Sequence, residues 1–493
     1  MTDYKALIKE YFRDKSFIQS NIESFNNFMD NEVQKIINET EEIIPTIIPE
    51  EAESFRIKFT KITIKKPEVV EADGSRRKLF PMEARLRALT YAATIEVDVS
   101  VYVNDIQRES FTIEIGKIPV MIRSKYCHLY NLKEEELLVH DEDPNDFGGY
   151  FILNGNERVL IMVEDLLSNK FFIEKENSGP QTYTARVYSE RSSYRIPHTM
   201  EQTKDGLISL SFTRFRKIPI ISVIKALGLV KDQEIVQAIS KDKQFDSVFI
   251  NLVESVDLKT EEDALDFLAK KIGITQTQEQ KIERTREQID KYLLPHLGID
   301  PKDRMIKAYN LCKYIKKFLT IAEGSQAIID KDHYSNKRLK LSGDLLADLF
   351  RVNLRNLIQD ILYNFQRLVK RGKFQSIRII IRNELVTSRI KSAMATGTWV
   401  GGRKGVSQNI DRTNALSTLS HLQRVVSLLE STQENFEARA LHGTHFGRLC
   451  PVETPEGTPI GLRKNLALLC SITKEESFDD KIKKSLISLG LKE

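Results

Sequence analysis

Two histidines and a glutamate near the end of the chain have the side-chain types of a zinc hydrolase. His442 and His445 lie three positions apart, and Glu453 follows them. Metalloprotease histidines instead lie four positions apart on one face of a helix. The glycines and prolines between residues 443 and 461 exclude a regular helix here. We therefore expect no zinc site in this stretch.

Two acidic groups could in principle hold metal ions. Asp330, Asp332 and His333 could serve two-metal nucleotidyl transfer, but lysines and an arginine follow them closely, so we expect ion pairs. The acidic stretch 141–146 does not have the ligand spacing of a calcium loop, so we expect a solvated loop that caps a helix. The chain also has no glycine-rich Walker motif, and we expect no catalytic residue and no bound metal in it.

Residues 400–429 combine cations with short neutral hydrogen-bonding groups. Phosphates attract the cations, while serine, asparagine and glutamine side chains bind sugars without demanding a base sequence. A polar helix on an ordinary surface would have a similar composition. The mixture nevertheless favours a wall that follows a nucleic-acid backbone, because a basic block precedes it.

That basic block is residues 331–404, which contain 16 Lys and Arg against 5 Asp and Glu, a net charge of +11. The whole chain carries only +4, so the remainder carries −7. Such polarisation suggests a local surface for a polyanion, although lysines and arginines also decorate solvated helices.

The elements that must position these groups can be read from local patterns. Alternation predicts a strand at 55–67, a pair of strands at 94–103 and 111–122, and a hairpin around 154–157. Further strands are predicted at 182–190 and 206–215, and a long amphipathic helix within 330–371. The stretch 439–464 is predicted to be a rigid irregular loop that needs a scaffold, because it alternates glycine with proline.

Length and composition predict a multidomain soluble protein. With 493 residues and 41% hydrophobic content, the chain can build about two to four domains. Its four cysteines are scattered without a C-x-x-C pair, which argues against disulfides and thiolate zinc sites. No run of about eighteen apolar residues is present. We therefore expect a cytoplasmic protein with no membrane partner.

The stretch LHGTHFGRLCPVETPEGTPIGLRKNLAL resembles the fork region of the second-largest subunit of multisubunit DNA-directed RNA polymerases. ARLRALTY, GKIPVMI and FGGYFILNGNERVLI resemble the protrusion of that subunit, and KDHYSNKRLKLSGDLLADLFR resembles the segment in which the chain re-enters it. The resemblance covers most of residues 55–472. It implies an α+β fold of mixed helices and antiparallel sheets, with the protrusion at 1–171 and 331–404, an inserted lobe at 172–330 and the fork at 405–493.

The resemblance and the polar composition together predict a set of site residues. Arg424 and Arg448 are the first candidates for polyanion contact, and the full nucleic-acid-binding set is Gln408, Arg412, Asn414, His421, Arg424 and Arg448. Glu453, Thr454 and Glu456 are expected to support the active centre. The two glutamates would do so by accepting backbone or arginine hydrogen bonds, although Glu456 could reach the centre itself.

The function implied is that of the N-terminal part of a split archaeal subunit, inactive alone, within a nucleotidyltransferase. Its partners would be the C-terminal half, the largest subunit, the other polymerase subunits, the DNA template and the nascent RNA. The catalytic Mg²⁺ would be held by the largest subunit. Two alternatives remain open: a free-standing nucleic-acid-binding regulatory protein on a polymerase-like scaffold, and a fragment of a longer subunit.

Overall fold

The computed structural model describes residues 4–6, 9–10, 16–40, 42–49, 52–175, 181–191, 194–240, 245–274, 277–372, 376–429, 432, 435–473 and 480–490. The chain divides into two compact units. The split unit comprises Met1–Asp165 with Leu339–Glu493, and the inserted unit comprises Leu166–Arg338. The four-part division into protrusion, lobe and fork stays a prediction, because a division into two units does not test it.

The strands pair segments of the backbone that lie apart in the sequence. In chain order they are β1 (Phe55–Lys65), β2 (Glu68–Val70), β3 (Arg76–Lys78), β4 (Ala92–Val103), β5 (Ile106–Pro119), β6 (Phe151–Leu153), β7 (Asn156–Leu160), β8 (Met162–Leu166), β9 (Phe171–Lys175), β10 (Gln181–Arg191), β11 (Tyr194–Thr203), β12 (Ile208–Phe212), β13 (Phe215–Pro219), β14 (Lys337–Lys340), β15 (Ser407–Asn409), β16 (Arg424–Ser427) and β17 (Arg463–Asn465).

The helices range from one turn to a rod of 28 residues. In chain order they are α1 (Ser16–Asn27), α2 (Val33–Asn38), α3 (Pro81–Leu86), α4 (Glu134–Val139), α5 (Ile220–Ala226), α6 (Asp232–Ile239), α7 (Asp246–Glu254), α8 (Glu261–Ile272), α9 (Gln278–Tyr292), α10 (Arg304–Ala322), α11 (Ser342–Val369), α12 (Ile377–Ile380), α13 (Glu384–Thr396), α14 (Ala415–Leu422), α15 (Phe436–Arg439) and α16 (Asp480–Ser488). Among the described residues, no helix is both long and apolar enough to cross a membrane.

The core of the split unit is built on an antiparallel sheet in the order β1-β4-β5. Successive strand side chains point to opposite faces, and Ile95, Val97 and Val99 of β4 are accordingly fully buried. One hydrophobic cluster joins this face to α1, α11 and α13. The predicted pairing of the strands at 94–103 and 111–122 is confirmed by β4 and β5, with Ala92 opposite Pro119. The predicted long amphipathic helix is also confirmed, as α11.

The predicted hairpin is confirmed by β6 and β7. Both of its turn residues have positive φ, +50° at Asn154 and +79° at Gly155, as a two-residue turn matching the strand twist requires. A side chain at Gly155 would come within 3.0 Å of the Ala88 Cα atom. β15 extends this hairpin by pairing with β7, which places Gln408 opposite Val159. The hairpin therefore supports one end of the polar stretch 400–429.

β16 joins the two sequence segments of the split unit. It pairs in parallel with β8, with Val425 opposite Met162, and antiparallel with β17. The predicted α+β fold of mixed helices and antiparallel sheets is confirmed, and the pairing of β16 with β8 adds one parallel contact to it. The inserted unit lies between β8 and β16 in the chain, so the two strands are not restricted to the antiparallel arrangement of a tight hairpin.

The inserted unit is an antiparallel sheet in the order β13-β12-β11-β10-β9 with helices α5 to α10. The strands predicted at 182–190 and 206–215 are confirmed as β10 and β12. Its own hydrophobic cluster includes Phe171, Leu210 and Phe318. This separate core gives the inserted unit an independent source of stability.

Candidate nucleic-acid interface

Two arginines, which we call the arginine pair, lie on the small ladder formed by β16 and β17. Arg424 begins β16 and lies opposite Asn465, while Arg463 of β17 lies opposite Val426. Burial, and then the nearby charge of Arg463, lower the pKa of Arg424. The charges of Glu453 and Asp411 act in the opposite direction. Two guanidinium groups are thus held within electrostatic range of each other.

Neither member of the arginine pair is neutralised by a direct contact with a described residue. Within the described part of the chain, neither guanidinium makes a hydrogen bond or an ion pair. Like charges held together destabilise a free protein, and an anion placed between them removes that repulsion. The arrangement can therefore bind a phosphate group.

Among the described residues, Lys464, the next residue along β17, is paired with a carboxylate, unlike Arg463. Lys464 is buried, and its Nζ atom donates to both carboxylate oxygens of Glu164 at 3.1 and 3.3 Å. Strand alternation explains the contrast, because neighbouring residues point to opposite faces. Arg463 was absent from the predicted site set. The alternation of Arg463, Lys464 and Asn465 within a strand is the signal that could have separated the exposed cation from the buried one.

The irregular loop 451–462, which we call the fork loop, is held to this ladder by side chains. The Glu453 Oε1 atom accepts from Ser420 Oγ at 2.5 Å and from Asn465 Nδ2 at 2.9 Å. Glu453 was expected to accept backbone or arginine hydrogen bonds, and the donors that the structure shows are instead a serine and an asparagine side chain. These contacts tie the loop to α14 and β17.

Thr454 and Gly461 close the fork loop on itself. The Thr454 Oγ1 atom donates to the Arg463 carbonyl oxygen and accepts from the Gly461 N–H, both at 2.9 Å. Gly461 has φ +72°, and a Cβ atom there would lie 2.2 Å from the Arg439 carbonyl oxygen. Only glycine fits this close approach. Glu456 is exposed at the tip, where its carboxylate makes no hydrogen bond or ion pair with a described residue.

The buried His421 and the half-buried Gln408 are joined by a hydrogen bond. The His421 Nδ1 atom accepts from the Asp411 N–H at 3.1 Å, so Nε2 carries the proton and donates to Gln408 Oε1 at 3.2 Å. The Gln408 Nε2 atom donates to the Gly405 carbonyl oxygen at 2.9 Å. Burial, followed by the charge of Arg424, lowers the pKa of His421 to about 4. The imidazole is therefore neutral near pH 7.

Arg412 is engaged by carboxylates within the split unit. Its Nε atom donates to Glu157 at 2.7 Å, an Nη atom donates to Asp146 at 3.1 Å, and the guanidinium lies 4.8 Å from the ring centre of Tyr150. Burial opposes the charged form, but the hydrogen bond to Glu157 and the neighbouring charges raise the pKa of Arg412. The structure thus gives Arg412 internal partners that Arg424 does not have.

Asn414 and Arg448 occupy exposed positions. The Asn414 Oδ1 atom accepts from the Ser417 N–H at 2.8 Å and so caps the N-terminus of α14. Arg448 donates to the Thr444 carbonyl oxygen at 3.1 Å and leaves most of its guanidinium in solvent. Both predicted residues are therefore exposed on the split unit, and Asn414 also has a structural role as a helix cap.

The acidic stretch 141–146 differs from its expected solvated form. Glu142 is 5% exposed and accepts from an Arg85 Nη atom at 2.9 Å, and Asp146 accepts from the Tyr150 hydroxyl at 2.7 Å. The expectation of a solvated loop is therefore wrong for these two residues. Arg85, the partner of Glu142, and Arg412, which also pairs with Asp146, are too distant in the sequence for a local pattern to reveal these pairings.

The other histidine and carboxylate groups considered as metal ligands make ion pairs or hydrogen bonds with residues close in the sequence. Asp332 pairs with Lys337 at 3.3 Å, which confirms the expected ion pairing. His442 Nδ1 lies 2.7 Å from Thr444 Oγ1. Across the residues that the structure describes, no group of three or more histidine, cysteine, aspartate or glutamate side chains is placed to hold a metal ion.

Comparison with known proteins identifies the family. A family model described as RNA polymerase beta subunit matches residues 16–388, and one described as RNA polymerase Rpb2, domain 3, matches residues 408–472. DNA-directed RNA polymerase subunit Rpo2N of Methanocaldococcus jannaschii is 42% identical over 500 residues, which cover 100% of this chain and 99% of that protein. Rpo2N of Methanococcus vannielii is 39% identical over 99% of both chains.

A longer relative matches equally well over part of its length. DNA-directed RNA polymerase subunit Rpo2 of Saccharolobus shibatae is 43% identical over 98% of this chain but over only 43% of its own length. This chain therefore spans less than half of that relative. The resemblance read in the sequence is confirmed, and the chain belongs to the RNA polymerase beta subunit family.

Proposed function

We propose that this chain is the N-terminal half of a split second-largest subunit of an archaeal DNA-directed RNA polymerase. In the assembled enzyme it lines the path of the DNA template and the RNA–DNA hybrid. The Rpo2N relatives, matched over nearly their whole length, support the split arrangement. The longer Rpo2 relative supports a C-terminal half as partner, beside the largest subunit and the other polymerase subunits.

The arginine pair is the observation that carries the nucleic-acid role. Arg424 and Arg463 are fixed on a hydrogen-bonded ladder and are not neutralised within the described residues. Backbone binding requires such cations, because each phosphate that they neutralise releases condensed counterions. We propose that Arg448, which is exposed, contacts the same nucleic acid.

The remaining predicted residues are proposed to act in two ways. Gln408, Arg412, Asn414 and His421 stay candidates for nucleic-acid contact, and their internal hydrogen bonds add a positioning role. We propose that Glu453, Thr454 and Glu456 support the active centre. The hydrogen bonds of the first two would hold the fork loop in place, and Glu456 would supply an exposed carboxylate at its tip.

The chemistry itself is proposed to depend on other subunits. Template-directed nucleotidyl transfer uses metal ions to stabilise the attacking and leaving oxygens. We assign the ligands of the catalytic Mg²⁺ to the largest subunit, as the family resemblance implies, and expect this chain alone to be inactive.

The test is the salt dependence of nucleic-acid binding by the assembled polymerase. Arg424→Ala and Arg463→Ala should each reduce the slope of log affinity against log salt by about 0.7 to 0.9, and the double variant by about 1.4 to 1.8. Arg108→Ala is the matched control, because it removes an exposed cation from β5 instead. An unchanged slope in the double variant would overturn the assignment of the arginine pair.

A separate measurement tests membership of the enzyme. Native mass spectrometry of the tagged chain from its own cells should show a complex of many subunits, including a chain similar to the C-terminal part of Rpo2. A lone protein of 56.8 kDa would favour the free-standing regulatory protein instead. None of the structural observations favours that alternative at present, and the relatives that match the whole chain are polymerase subunits.

A further inference from the structure

Helix α7 of the inserted unit presents a stripe of large apolar side chains to solvent. Phe249, Ile250 and Val253 are 43%, 45% and 71% exposed, and Val256 in the following turn is 54% exposed. Positions spaced one, four and seven residues apart lie along one side of a helix. The stripe is therefore continuous, whereas scattered exposed apolar residues would be ordinary on any protein surface.

Buried polar contacts fix the rotation of α7 about its axis. On the opposite side of the helix, the Asn251 Oδ1 atom accepts from the Ile208 N–H at 2.7 Å, and its Nδ2 atom donates to the Gly206 carbonyl oxygen at 3.0 Å. The buried Lys225 Nζ atom donates to the Ser255 carbonyl oxygen at 3.0 Å, just beyond the helix. Rotating the apolar stripe inward would leave these buried groups unsatisfied, which is costly. The outward orientation is thus imposed by the fold.

Carboxylates flank the stripe and have no partner among the described residues. Asp246, Glu254 and Asp257 are all exposed, and none makes an ion pair or a hydrogen bond within that part of the chain. Glu254 is the last residue of α7. A negative charge is unfavourable at that end of a helix dipole. Glu254 therefore contributes nothing evident to the stability of the fold, and an external cation would be its natural partner.

We propose that this face of α7 is a docking site for a basic amphipathic helix of a partner protein. The stripe from Phe249 to Val256 spans about 10 Å, which matches two turns of a helix laid against it. Lysine or arginine residues beside the apolar anchors of that helix would pair with Glu254 and Asp257. The negative rim disfavours acidic helices and anionic lipid surfaces. The inference goes beyond the proposed function and does not involve the arginine pair.

The experiment compares two designed helical peptides of about 18 residues that share one apolar face. One carries lysines beside that face and the other carries glutamates, and fluorescence anisotropy measures their binding to the full chain. The basic peptide should bind at least about tenfold more tightly. Val253→Ser should weaken it by about tenfold, because the side chain would otherwise be buried on binding. Charge reversal in Glu254→Lys/Asp257→Lys should exchange the preference between the peptides.

Controls separate a docking face from general stickiness. Tyr363→Ser removes a 66% exposed aromatic residue from α11 and should leave basic-peptide binding unchanged. Phe249→Ser provides a second test of the stripe if Val253→Ser fails to fold. Equal binding of both peptides, or full binding by both stripe variants, would overturn the proposal. Concentration-dependent dimerisation that Val253→Ser abolishes would also overturn it, since the face would then belong to a second copy of this chain.

Discussion

Removing the ammonium group of Lys464 should destabilise the split unit far more than removing an exposed charge. In the ion pair between Lys464 and Glu164 the side chains are 9% and 4% exposed. Lys464→Met keeps most of the apolar stem and leaves the Glu164 carboxylate buried without its cation. Because Arg463 precedes Lys464 on β17, the same variant also tests what holds the arginine pair in place.

The expected magnitude follows from the burial of both partners. Breaking a buried ion pair at one side costs about 3–5 kcal/mol, because the remaining charge stays desolvated and uncompensated. Replacing both partners with apolar groups of similar volume is often close to neutral. We therefore expect Lys464→Met to lower the free energy of unfolding by about 3–5 kcal/mol. Glu164→Leu/Lys464→Met should recover most of that loss.

The single tryptophan makes this measurement selective. Trp399 is 4% exposed within the split unit, and its Nε1 atom donates to the Leu345 carbonyl oxygen at 2.8 Å. Its fluorescence during urea unfolding therefore reports on the unit that contains the ion pair. A loss below about 1 kcal/mol in Lys464→Met, the range of exposed pairs, would refute the argument from desolvation. A double variant as unstable as the single one would refute it as well.

Three further outcomes are expected. Because the folded pKa of His421 is about 4, below the unfolded value of about 6.5, stability should fall as pH drops through that window, by up to roughly 1.4 kcal/mol per pH unit. His421→Gln should flatten this pH dependence of the unfolding free energy, measured by Trp399 fluorescence. If the variant kept the wild-type pH dependence, the assignment to His421 would be wrong. Gly461→Ala should cost about 1–3 kcal/mol in the same assay, and Gly457→Ala less, since both glycines have positive φ but only Gly461 meets a backbone atom. Glu453→Ala should speed amide hydrogen exchange in the fork loop while Glu453→Gln, which keeps a carbonyl acceptor, should not; equal exchange in the two variants would contradict this.

Local patterns predicted the elements that local chemistry determines. The hairpin around Gly155 requires positive φ at two consecutive residues, and Asn-Gly is the commonest sequence that supplies it. The strands β4 and β10 and the helix α11 follow from side-chain periodicity, which reflects burial on one face. The family resemblance, which is carried mainly by residues of the fork region, predicted the α+β fold class.

Long-range pairing could not be predicted in this way. The carboxylate partners of Arg412 lie 255 and 266 positions away in the chain, and the partner of Lys464 lies 300 positions away. In a single sequence these residues are only charged residues at distant positions. The sequence therefore predicted a cationic surface but treated Arg412 and Arg424 as similar candidates.

The contrast between paired and unpaired cations among the described residues is the physical basis of the proposed interface. Arg412 and Lys464 are paired with carboxylates of the split unit. Replacing either one therefore affects the stability of the fold directly, whether or not a ligand is bound. Among the described residues, Arg424 and Arg463 lie near one another without a hydrogen-bonded carboxylate. Their mutual repulsion, which at Arg424 the charges of Glu453 and Asp411 oppose, raises the energy of the free chain. That energy falls when an external anion arrives, whereas neutralised cations would gain little. We therefore propose that the arginine pair serves binding, since it contributes repulsion and not stability to the free chain.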